Sequence, residues 1–159
     1  MKSIVKTVVV VAVFFGISFQ AKSQNRLKFE KDTYDMGTIV AGRDTIDVKI
    51  INTSDDVIFL NEYSFHRSAG YIRIRLVYNY RLDGPYIMLK PNETGTIRVG
   101  VWEGLITERF TPFVSITRYQ LGRPNSNSDK RARPYLPGNY VEDNPRPRFT
   151  LKGEVIAKE

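Results

Sequence analysis

The chain has 159 residues, no cysteine, a single histidine and a formal net charge of +7. Without cysteine there is no disulfide, no thiolate metal site and no thiol nucleophile. Three of the lysines fall in the first 23 residues, and the net +4 carried by the rest is too small to argue for nucleic acid.

The first element in chain order is a targeting segment. Lys2 and Lys6 form a positive start, Val8 to Phe19 is a run of twelve uncharged residues, and Ala21-Lys22-Ser23 places small residues two apart. That pattern predicts a signal peptide over residues 1–23, with the mature chain starting at Gln24. The run falls short of the ~20 apolar residues a membrane span needs. We therefore expect an exported protein of the periplasm, outer membrane or cell surface, with no membrane span in the mature chain. No cysteine follows the run to carry a lipid anchor. Residues 24–159 would then be 136 residues with 21 basic and 17 acidic side chains, net +4. That is enough chain for one domain with its own core.

From Leu27 onward the chain is built of short alternating runs between turn residues. Leu27-Lys28-Phe29-Glu30 opens it, Asp35-Met36-Gly37 reads as a turn, and Thr38-Ile39-Val40 continues to Gly42. Ile46, Val48 and Ile50 alternate with Thr45, Asp47 and Lys49, which places the first set on one face of a strand. Asn52 to Asp56 reads as a polar turn and Val57-Ile58-Phe59-Leu60 as a central strand. Ile72, Ile74 and Leu76 alternate with Tyr71, Arg73 and Arg75. Asp83-Gly84-Pro85 and Leu89 to Gly95 are turn regions, and Ile97, Val99 and Val101 share a face. Phe110 to Tyr119 reads as one strand, with Pro112 marking an edge or bulge. Phe149, Leu151 and Val155 close the core.

Turn signals roughly every 8–12 residues predict an all-β protein, a single immunoglobulin-like β-sandwich of seven to eight strands. One segment stands apart. Residues 120–147 hold five prolines, two glycines, two serines and four asparagines without alternation. They read as a long inserted loop before the last strand, well above the ~15 residues that loops ordinarily reach.

Several of these pieces carry a resemblance. Asp35-Met36-Gly37-Thr38-Ile39, Gly42, Asn52, Leu89-Lys90-Pro91-Asn92-Glu93-Thr94-Gly95-Thr96-Ile97 and Leu151-Lys152-Gly153-Glu154-Val155 follow one another in order. The set, spanning about Leu27 to Val155, is similar to a family of secreted Ig-like domains common in Bacteroidota, of the ASPM–Hydin and major-sperm-protein-like group. Members show Asp-Phe-Gly-x-Ile, then a Pro-Gly-Glu-x-Gly turn, then Leu-x-Gly-x-Val. Here Asn92 replaces the turn glycine, and Asn tolerates a left-handed backbone. Phe65-His66-Arg67-Ser68 falls where members often carry cysteines, and the 120–147 insertion is atypical. The family is named for its fold, so the resemblance implies architecture and no reaction. Asp44-Thr45-Ile46 is similar to the Asp-Ser/Thr-aliphatic O-glycosylation acceptor of Bacteroidota. Asn52-Thr53-Ser54 and Asn92-Glu93-Thr94 match the N-glycosylation pattern.

Catalytic chemistry has little to draw on. His66, the single base of its kind, sits beside Arg67 in what reads as a loop, and no orienting group or nucleophile is marked for it. Asp55-Asp56 and Glu142-Asp143 read as turns or solvated faces rather than metal ligands or a glycosidase pair. We expect no catalytic residues, no metal and no cofactor. Two binding roles stay open. One is a protein-interaction or scaffolding module of the envelope that engages a partner protein through the 120–147 loop. Its candidate contacts are Arg123, Lys130, Arg131, Arg133, Tyr135, Leu136, Tyr140 and Arg146, since Arg and Tyr are enriched at interface hot spots and the prolines limit the entropy lost on docking. The other is a carbohydrate-binding module using exposed aromatics among Trp102, Tyr71, Tyr80, Tyr86 and Tyr119. Trp102 follows the inward series ending at Val101, so it should point outward or sit at a strand end.

Overall fold

Side chains that alternate between polar and apolar demand a strand with one face buried, and three such runs make the first sheet. β3 (Thr45–Asn52), β6 (Ile72–Val77) and β8 (Thr94–Val101) lie side by side in the computed structural model, which describes residues 25–77, 86–102, 109–122 and 140–156. With β1 (Leu27–Phe29) they form an antiparallel sheet in the order β1-β3-β8-β6. Val48, Ile50, Ile72, Leu76, Ile97, Val99 and Val101 point into the core as the alternation requires, and Ile46 and Ile74 pack partly buried against it.

Two further sheets face this one. β2 (Thr33–Val40), β13 (Arg148–Ile156), β10 (Phe113–Ile116) and β5 (Phe65–Arg67) form one, with β9 (Arg109–Phe110) pairing to β13. β12 (Tyr140–Val141), β11 (Tyr119–Gly122), β4 (Val57–Leu60) and β7 (Ile87–Leu89) form the other. The chain passes from β4 to β5 through a 3-10 turn, Glu62–Ser64, and from β10 to β11 across Thr117 and Arg118. β4 pairs with β11 and β5 with β10. At the junction Thr117 donates to the Ser64 carbonyl twice, through its amide at 2.8 Å and its hydroxyl at 3.3 Å. The two strand pairs are thus one antiparallel ribbon with a bend in it. The fold is an immunoglobulin-like sandwich. The run expected as one strand, Phe110 to Tyr119, is three: its ladder to β13 is interrupted at Thr111-Pro112 without a change of register, where proline has no amide to donate, and it changes partners at Thr117-Arg118. Such cuts raise the strand segments among the described residues to thirteen.

All three sheets share one core. At its centre Phe149 of β13 meets Phe29 and Tyr34 edge-on, with ring centroids 4.7 and 5.2 Å apart. Each such pair adds ~0.5–1.5 kcal/mol beyond area burial.

The motif residues also find physical reasons. Asp35-Met36-Gly37, expected as a turn, is a bulge inside β2. Parallel pairing with β13 runs Lys152↔Asp35 and then Glu154↔Thr38, leaving Met36 and Gly37 opposite Gly153. Gly37 takes φ +64°, and its amide donates to Asp35 Oδ1 at 2.8 Å. A Cβ on Gly153 would lie 2.6 Å from Phe110 Cζ and 3.0 Å from the Gly37 carbonyl oxygen. The two glycines of distant motifs therefore meet across one bulge. Asn92 has φ +61°, the left-handed conformation expected of it, and the turn is closed by the Lys90 backbone amide donating to Glu93 Oε2 at 2.8 Å. Asn52 is fully buried, its amide donating to the carbonyls of Asp56, Leu89 and Lys90. That pattern match is a structural pin and no glycan acceptor.

Candidate functional site

Two regions carry the chemistry that the core does not use. The first is the base of the 120–147 segment. Its ends are strands rather than loop: β11 and β12 form a short antiparallel pair with Tyr119 opposite Val141 and Gln120 opposite Tyr140. The period-two pattern is too short there to have been read from sequence. Tyr119, considered for exposure, is buried to 1%. Its hydroxyl donates to Asp143 Oδ1 at 2.6 Å, and Asp143 Oδ2 accepts the Leu27 amide at 3.3 Å. Burial first, and then the Asp143 carboxylate, push the Tyr119 phenol far up from its ordinary value, with Arg26 acting weakly the other way. The pair Glu142-Asp143 is therefore split in role. Asp143 ties the end of the segment to β1, while Glu142 pairs with Arg146 in solvent at 2.9 Å.

Of the expected partner contacts, Tyr140 and Arg146 are described. Tyr140 is 41% exposed with the Arg118 guanidinium over its ring at 4.8 Å from the centroid. Arg146 is held by Glu142. Arg123, Lys130, Arg131, Arg133, Tyr135 and Leu136 lie outside the described residues, as does Tyr80. His66, expected in a loop, is exposed on β5 opposite Ser115, with its ring against Phe113 at 6.1 Å.

The second region is a groove of about 590 Å³ on the outer face of the β1-β3-β8-β6 sheet. Its floor is the end of β8, its walls are β6 and the turn entering β3, and Glu62 stands at its rim. Trp102 directly follows β8 and is 50% exposed, as the alternation predicts. The Arg73 guanidinium lies over the indole, 2.9 Å from the ring centroid. Beside it Arg98 Nε and Nη2 donate to the two carboxylate oxygens of Asp47 at 2.8 and 3.2 Å. This fork holds the Asp47 carboxyl below the usual carboxylate range. Sequence reasoning singled out Trp102 but not Arg73, Arg75 or Arg98. Each was visible as an outward residue, but the pairing of β3, β8 and β6 that gathers them is a long-range register.

Among the described residues no group of His, Asp and Glu has the geometry to hold a metal ion. Among the described residues no helix is long and apolar enough to cross a membrane.

No family model matches the chain, and no curated protein matches it. Solved structures do. WR4, a C. elegans MSP family member, is 13% identical at a TM-score of 0.45, the match covering 83% of this chain and 99% of that one. The ASH / PapD-like domain 7 of human CEP192 is 12% identical at 0.44, covering 86% and 89%. The E. coli chaperone DraB is 8% identical at 0.44, covering 80% of this chain and 53% of that one.

Proposed function

We propose that this chain is a non-catalytic protein-interaction module, exported to the periplasm or cell surface, whose partner is engaged by the segment over residues 120–147. The observation that carries this reading is the way the base of the segment is built. Tyr119, Asp143 and the Leu27 amide fasten it to the core, and Arg118 and Tyr140 leave a stacked Arg–Tyr pair facing solvent. A long connection costs little closure entropy, and a rigid base reduces what binding must order. Arg and Tyr on such a base are the side chains that dominate interface energetics.

The test leaves β11 and β12 in place and replaces residues 123–139 with a Gly-Ser linker. Thermal unfolding should be unchanged. Partners recovered by crosslinking in the native envelope and identified by mass spectrometry should be lost. Undiminished recovery with an intact fold overturns the reading. Export is tested separately by intact mass, which should correspond to a chain beginning at Gln24; a mass retaining residues 1–23 overturns it.

A further inference from the structure

The groove on the outer face of the first sheet holds charges that the fold uses only in part: Asp44 Oδ2 accepts the Val40 amide at 2.7 Å and Arg98 pairs with Asp47, while among the described residues the Arg75 guanidinium is left over. Arg73 and Arg75 are successive outward residues of β6, about 7 Å apart along the strand. Opposite them on β8 stand Gly100 and Arg98, and opposite these on β3 stand Thr45 and Asp47. Arg98 is neutralised by Asp47. Arg75 directly faces Arg98 and has no carboxylate partner among the described residues. Since Asp47 already takes up the charge of Arg98, Arg75 is the cation of this row left for a bound anion. Gly100, between Arg73 and Thr45 in the register, leaves no side chain on the floor, where a Cβ would lie 3.0 Å from Thr45 Cγ2 and 3.2 Å from the Asp44 carbonyl oxygen. Arg73 lies over the Trp102 indole, and a guanidinium held over a ring by its carbon keeps its N–H donors for a ligand.

The rest of the lining decides what kind of anion fits. Asp44 and Glu62 line the same groove. A peptide rich in Asp and Glu brings a carboxylate at nearly every residue and meets repulsion from both. A sugar chain with one acidic group among several hydroxyls meets none, because its charge goes to the arginines and its hydroxyls donate to Asp44 and Glu62. The half-exposed indole adds an apolar surface for a pyranose ring. A volume of about 590 Å³ suits a small ligand or a few sugar rings.

We infer that this groove binds an acidic saccharide, a sugar chain bearing carboxylate or sulfate groups, with Arg75 and Arg73 on the anion, Asp44 and Glu62 on hydroxyls and Trp102 against a ring. None of the groove's lining residues belongs to the described part of the 120–147 segment, so the site should survive replacement of residues 123–139.

Trp102 is the chain's single tryptophan, so intrinsic fluorescence reports on the site, and titration calorimetry provides a second readout. The probes are an oligogalacturonate, a sulfated oligosaccharide, a neutral dextran oligomer of similar length and a polyglutamate peptide. Saturable binding of one or both acidic saccharides is expected, with none for dextran or the peptide, and the saccharide that binds names the anionic group. Arg75→Ala should weaken binding at least about tenfold with thermal unfolding unchanged, Arg75→Lys should restore part of it, and Glu62→Gln should weaken saccharide binding. The variant with residues 123–139 replaced should bind like the unaltered chain. Polyglutamate binding as well as the saccharides would make this an acidic-peptide site and overturn the proposal. So would equal binding of dextran, no binding of any probe, indifference to Arg75→Ala, or loss of binding with the 123–139 replacement.

Discussion

The outer face of the β1-β3-β8-β6 sheet and the base of the 120–147 segment each combine a carboxylate, an arginine and an aromatic ring, and they use them in opposite ways. At the base the ring is buried, with the Tyr119 hydroxyl on Asp143 and the second carboxylate oxygen on the Leu27 amide. On the face Trp102 is half exposed and Asp47 and Arg98 pair in solvent. A hydrogen bond from a buried hydroxyl to a charged group contributes ~1.5–3 kcal/mol. An exposed ion pair contributes ~0–1 kcal/mol. The same residue types therefore hold the fold together in one place and leave it almost untouched in the other, which is why the face is free to serve a ligand.

The largest expected effect sets the scale and falls on a single strand. Leu76 is buried under the charged face and Arg75 stands on it. Leu76→Ala should cost ~2–5 kcal/mol through lost transfer energy and a cavity. Arg75→Ala should stay within ~0.5 kcal/mol, as surface changes do. Chemical denaturation of the two variants measures both. Equal losses would mean that the face is part of the fold's support after all.

Next in size is the direct comparison of the two carboxylates. Asp143→Ala leaves the buried Tyr119 hydroxyl and the Leu27 amide without their acceptor and should cost ~1.5–3 kcal/mol. Asp47→Ala should cost ~1 kcal/mol or less. If the two variants unfold at the same denaturant midpoint, the distinction between the regions fails.

The base should also show itself at alkaline pH. The Tyr119 phenol is raised above its ordinary value of 10.0, chiefly by burial and then by Asp143. A group raised on folding contributes stability that is full below its unfolded pKa and lost as pH climbs through the folded one. Stability should therefore decline from about pH 10 upward, and Tyr119→Phe should flatten that decline. Melting curves across pH 8 to 12, run on both chains, would expose an identical decline and so sink the assignment to Tyr119.

Much of this molecule was legible in its sequence, and the boundary of legibility is physical. Local alternation revealed β3, β6 and β8, the outward Trp102 and the left-handed Asn92, because each depends on residues within a few positions. Three features depended on chain far away. The bend at Thr117 is set by Ser64, and it split β11 from the strand expected to run through it. The bulge at Gly37 is set by Gly153 across a parallel pair. The gathering of Arg73, Arg75 and Arg98 is set by pairings that span more than twenty residues. Alternation says which face a residue occupies and leaves open who stands beside it. The long segment was recognised by composition, but its strand-paired base was missed because two-residue and four-residue strands carry too short a pattern.

The smallest effect is expected at Asp47 in acid, and it is the finest test of the contrast. Arg98 donates two hydrogen bonds to Asp47 and lowers its carboxyl from the ordinary 3.8. A lowered folded pKa means stability that is present above about pH 4 and lost as pH falls through the lower folded value. Both groups are open to solvent, so the amount is small and screened. At 1 M salt the screening length is only about 3 Å. Asp47→Asn should therefore trail the unaltered chain by ~0.5 kcal/mol or less at pH 7 and low salt, and the gap should close both in acid and at 1 M salt. A gap that persists at 1 M salt would make Asp47–Arg98 a pinned contact like Tyr119–Asp143. Arg98 would then belong to the framework, and the face would lose its claim to be built for a ligand.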